Sequence, residues 1–73
     1  MNALEHVGFV LATAVHEDAI SKAELLDFLR ELITASLHET GEDTEEMRAL
    51  SVKLGKRFRH VIYPGGVKEG EDT

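Results

Sequence analysis

The chain has no cysteine and no tryptophan, a single proline, and four aromatic residues in all: Phe9, Phe28, Phe58 and Tyr63. Without thiols there is neither a disulfide framework nor a thiolate metal site, so packing must supply the stability, and the composition suits a reducing setting. Long apolar runs are missing too. VGFVLATAV, Val7 to Val15, is nine residues long against the roughly 20 a spanning helix needs. It follows Glu5 and His6, where a secretory leader would carry Lys or Arg. The expectation is a soluble protein of the cytoplasm that makes no use of a membrane. Bases are scarce: eight Lys and Arg face 14 Asp and Glu, for a net charge of −6. A net anion is repelled by nucleic acid unless its positive charge is strongly segregated. Glycine-rich phosphate loops and Ser or Cys nucleophile contexts are lacking, and His6, His16, His38 and His60 show no paired-ligand spacing. Neither catalysis, cofactor nor metal is therefore expected. With 73 residues, a folded chain also has little room for an enclosed ligand cavity of the usual ~300 Å³ or more.

What is present is helical periodicity with clear punctuation. Asn2 with Glu5 three residues on forms a capping-box pair ahead of Leu4, Val7, Leu11, Ala14 and Val15, which recur on one face and predict a helix over about 3–16. Gly8 inside it weakens the helix or admits a neighbouring backbone. Ser21 and Glu24, with Ile20 and Leu25 as a hydrophobic staple, begin a second helix over 22–38, ended near Gly41 in a left-handed turn. Leu25, Leu26, Phe28, Leu29, Leu32, Ile33 and Leu37 cover more than a narrow stripe, which predicts that this helix is the central, most buried one. Asp43 with Glu46 opens a third, over 44–62, whose Met47, Leu50, Leu54, Phe58 and Val61 share a face before Pro64 ends it. The fold class is all-α: a small three-helix bundle over 1–63 with a flexible polar tail over 64–73.

Half of the bases, Lys53, Lys56, Arg57 and Arg59, lie within seven residues that lead to Tyr63. Lys53, Lys56, Arg57 and His60 are placed on one flank beside the apolar stripe. Cations there offset the helix dipole and can pair with Glu39, Glu42 or the acids of the second helix. Alternatively they form a docking patch, since Arg and Tyr are favoured where proteins meet. Phe9 projects away from the apolar face of the first helix, with Val10 at its margin, so both are candidate contacts. The candidate partner-binding set is thus Lys53, Lys56, Arg57, Arg59, Tyr63, Phe9 and Val10. Glu39 to Glu46 holds five carboxylates in eight residues, either a soluble loop or a dock for a basic peptide. Direct DNA contact by a helix-turn-helix conflicts with Glu45 and Glu46 at the start of the third helix. Charge thus speaks against DNA, and a small DNA-binding domain or a dimerising structural module stand as alternatives.

With MNALEHVGFVLATAV at one end, LGKRFRHVIYPGG near the other, an acidic middle and 73 residues in total, the chain resembles small bacteriophage transcription regulators that bind host bacterial RNA polymerase. The resemblance implies a non-enzymatic protein of the infected cell's cytoplasm that contacts the N-terminus of the polymerase β′ subunit near the β flap. It implies hindrance of sigma-dependent initiation and promotion of antitermination. No residue roles come with it. A monomer is expected, with a weak dimer left open.

Overall fold

Asn2 starts the first helix with both halves of a capping box: the Glu5 amide donates to Asn2 Oδ1 at 2.8 Å and the Asn2 amide to Glu5 Oε1 at 3.0 Å. In the computed structural model, which describes residues 1–64, α1 runs Ala3–His16, α2 Lys22–His38, α3 Glu45–Arg57 and α4 Arg59–Ile62. No strand occurs among the described residues. The first two helices have the predicted bounds, and the architecture is a three-helix bundle whose last helix is broken. The tail expected beyond Pro64 lies outside the described residues.

α1 ends in a way the sequence did not advertise. Asp18 sits at φ 56°, and the amides of Asp18 and Ala19 return to the carbonyls of Val15 and Ala14 at 3.0 and 2.8 Å. This is the double hydrogen-bond closure in which a left-handed residue satisfies the orphan carbonyls, a position usually given to glycine. Asp tolerates it because its short polar side chain is among the few that visit this region. Gly41, by contrast, takes φ 147° as the turn after α2 demands.

The third helix starts one residue later than the Asp43–Glu46 pattern suggests. Thr44 is the cap, its Oγ1 accepting from the Met47 amide at 3.1 Å. Asp43 is used elsewhere: its Oδ1 accepts from the Ala3 amide at 2.9 Å, while the Glu42 carbonyl accepts from the Leu4 amide at 2.9 Å. Glu42 Oε1 also takes a 2.6 Å bond from Asn2 Nδ2. The acidic connection therefore closes over the start of α1, where amides unpaired within the helix and the positive end of its dipole welcome carboxylates.

The predicted continuous helix to Ile62 is interrupted at Phe58 (φ −112°, ψ 24°). Phe58 is completely buried and meets the Phe28 ring edge-on, centroids 6.0 Å apart, an arrangement aromatic pairs favour. Neither Pro nor Gly stands at 58–60, so the break is tertiary in origin. It turns α4 back onto α1, where Val61 and Ile62 are half-buried against the core.

The central helix is α3, not α2. α3 packs against both α1 and α2. The core is Ala3, Val7, Val10, Leu11 and Ala14 of α1, Met47, Leu50 and Leu54 of α3, Phe58, and only Phe28 and Ala35 of α2. Leu26, Leu29, Ile33 and Leu37 are exposed, correcting the expectation of a deeply buried second helix. Gly8 is exposed, with open space where a Cβ would stand, so no backbone approaches it. No helix among the described residues is long and apolar enough to cross a membrane.

Candidate partner-binding surface

The cations of α3 and α4 do not form one flank: at 100° per residue Lys53 and Arg57 share one side of α3 and Lys56 lies off it. Lys53 and Arg57 turn toward α2. Lys53 Nζ lies 2.9 and 3.1 Å from the two carboxylate oxygens of Glu31. Arg57 grips Glu24 with Nε and Nη2, both at 2.9 Å, the fork geometry that suits guanidinium and carboxylate. The Arg57 guanidinium also lies 4.5 Å from the Phe58 ring centroid and Lys53 Nζ 5.8 Å from that of Phe28, within cation–π range. These two cations fasten α3 to α2, the pairing with second-helix acids that the sequence offered as one reading. Glu24 is drawn away from its own cap as a result: Ser21 Oγ accepts from the Glu24 amide at 3.0 Å, but the side chain goes to Arg57.

Lys56, Arg59 and Tyr63 fall on the other side of α3. With His6, Ser51, Val52, Gly55 and Ile62 they line an open groove of about 450 Å³ between α1 and the α3–α4 bend. Its floor is fixed by a 2.6 Å hydrogen bond between His6 Nδ1 and Ser51 Oγ and by Gly55, where a Cβ would stand 3.5 Å from the His6 ring. Among the described residues no carboxylate pairs with Lys56 or Arg59. Tyr63 is 59% exposed at the rim. Two cations, an imidazole, a phenol and an aliphatic wall thus face solvent together, a mixture that can seat an acidic, partly apolar protein segment. His60, expected beside Lys56, instead lies with Glu17, Ala19, Val61 and Pro64 around a separate hollow.

Phe9 is 48% exposed, in keeping with its position off the α1 stripe, but Val10 has no exposed surface at all. At 100° per residue Val10 lies only about 20° beyond Ala3, at the edge of the arc that holds Val7 and Ala14, and its full burial makes it core rather than a contact residue. The acids of Glu39 to Glu46 are partly committed to internal bonds: Glu42 and Asp43 to α1, and Glu46 to His38 at 3.1 Å. His16 stands 3.9 Å from Glu17 with both side chains largely in water. No cluster of three or more metal-ligating side chains occurs among the described residues.

The exposed aliphatic row on α2 is absent from the candidate contact set, although the dimerising alternative rested on the apolar excess of this helix. A signal for it existed. Glu24, Phe28, Glu31 and Ala35 recur at steps of three and four and mark the side turned to α3, which leaves Leu26, Leu29, Ile33 and Leu37 on a second, broader arc. Searches of protein-family models, curated proteins and solved structures find no match to this chain.

Proposed function

We propose that this chain is a non-enzymatic adaptor that docks on a larger protein assembly through the groove between α1 and the α3–α4 bend. The observation that carries the reading is the division of the cations. Lys53 and Arg57 are held by Glu31 and Glu24, whereas Lys56 and Arg59 stand with Tyr63 and Ile62 around open space. Charged groups of that kind steer approach and fix register, and the aromatic and aliphatic contacts hold the complex. The partner we propose is bacterial RNA polymerase, at the N-terminal part of β′ near the β flap, as the resemblance of the two terminal segments to phage regulators implies. Bound there, the protein would hinder the sigma factor at initiation and favour read-through of terminators.

The test is a titration of isotopically labelled protein with a β′ N-terminal fragment. Shifts should cluster on His6, Ser51, Lys56, Arg59 and Tyr63. The paired reversal Lys56→Glu/Arg59→Glu should weaken binding by at least about tenfold, the equivalent of ~1.4 kcal/mol. No shift at saturating fragment would remove the polymerase reading. Shifts confined to another face would remove the groove while keeping the partner. Duplex DNA is the competitor: binding that falls steeply with salt would favour a nucleic-acid role instead.

A further inference from the structure

Four large aliphatic side chains of α2 form a continuous outward row: Leu26 is 49% exposed, Leu29 36%, Ile33 58% and Leu37 83%. Steps of three and four residues keep them on one arc, within about 80° of each other at 100° per residue, and the row is about 16 Å long at 1.5 Å per residue. It adjoins the half-buried Leu25 and Leu32, so it is the outer edge of the apolar band whose inner edge packs on α3. Soluble monomers seldom leave so large a contiguous apolar strip in water.

We propose that this strip is the interface of a symmetric antiparallel homodimer in which α2 of one copy lies along α2 of the other. The row is self-complementary about a point between Leu29 and Ile33. Laying two copies head to tail sets Leu26 against the partner's Leu37 and Leu29 against the partner's Ile33, the arrangement a two-fold interface requires. The charges at its ends agree. Lys22 begins α2 on the same arc as the row, and Glu39 follows its last turn, so antiparallel copies bring each Lys22 beside the other chain's Glu39. A parallel pair would oppose like charges at both ends and align the helix dipoles unfavourably. Arg30, which borders the row, is turned to Asp27 at 3.9 Å. The groove of Lys56 and Arg59 lies off the opposite side of α3 and stays open in this dimer, so the proposal stands apart from the docking function above.

Sedimentation equilibrium of the intact chain across roughly 10 µM to 1 mM reads the proposal directly, because mass action makes a weak dimer concentration-dependent. The mass should climb from 8.1 kDa toward twice that value. Ile33→Lys, on an exposed position, should hold it at the monomer mass with unchanged helicity. Lys22→Glu should weaken the dimer and Lys22→Glu/Glu39→Lys should restore it. Orientation is read by single introduced cysteines, which have no competitor in a chain without any. Mixed Leu26→Cys and Leu37→Cys proteins should form the 26–37 disulfide under mild oxidation, since only facing positions come within the ~4.4–6.8 Å Cα spacing a disulfide needs. A constant monomer mass throughout, a dimer indifferent to Ile33→Lys, or a preponderance of 26–26 and 37–37 disulfides would each overturn the proposal.

Discussion

Where α3 meets α1, Val7, Val10, Ala14, Leu54 and Phe58 are fully enclosed and His6 bonds Ser51 across the contact. Where α3 meets α2, the second helix buries only Phe28, edge-on to Phe58, and Ala35, and two ion pairs at the surface complete the contact. The first contact is deeply buried, and the acidic connection further secures it by capping the start of α1. The second is held by a few apolar atoms and by charges that water can replace at little cost. The difference assigns separate tasks: α1 with α3 and α4 supplies stability, while α2 is carried on that platform with its outer face available. A small chain can leave surface open on two sides when most of its buried residues lie along a single internal seam.

The contrast breaks most visibly in the core. Leu54→Ala should cost about 2–5 kcal/mol of a total that for a chain this size is on the order of 4–11 kcal/mol. Ile33→Ala on the outer face should change stability by no more than about 0.5 kcal/mol. Urea unfolding at low protein concentration compares the two, and equal losses would refute the division. Next in size is Asn2→Ala, expected to cost about 1 kcal/mol and to speed amide exchange at Ala3 and Leu4 before α2 responds. Gly8→Ala should sharpen the contrast in the other direction. A Cβ there meets nothing within 4 Å, so the gain should approach about 1 kcal/mol from helix propensity alone, seen as a raised urea midpoint. The smallest effect belongs to the α2 contact: a double-mutant cycle on Glu24→Gln and Arg57→Gln should give a coupling of roughly 0.2–1 kcal/mol that shrinks in high salt. A coupling several times larger would mean that α2 is fastened as firmly as α1.

Local signals were readable wherever they act within a few residues. Asn2 with Glu5 and Ser21 with Glu24 placed the first two helices, because a cap is satisfied by the chain immediately following it. The Lys53 to Arg59 cluster was visible as a cluster, but its division was not. Which cations meet Glu24 and Glu31 depends on where α2 lies, and which hollows Arg59 and His60 line depends on how α4, beyond the interruption at Phe58, packs on α1. Phe58 carries no mark of that interruption, since the preference arises from burying its ring against Phe28. Val10 was misplaced for a related reason. Its neighbour Phe9 projects outward while the burial arc of α1 is wide enough to take in Val10, and the width is set by how closely α3 and α4 approach.

Composition and periodicity alone determined that this chain is helical, where α1 and α2 run, and that no disulfide ties it together, because hydrophobic spacing, caps and thiol content are properties of the chain itself. Tertiary structure alone decided that α3 is central, that the acidic connection caps α1, and that three of the five α2 leucines face outward. Those outcomes turn on which of several apolar faces finds a partner first and best. A sequence holding more apolar face than three short helices can mutually cover leaves that choice to packing.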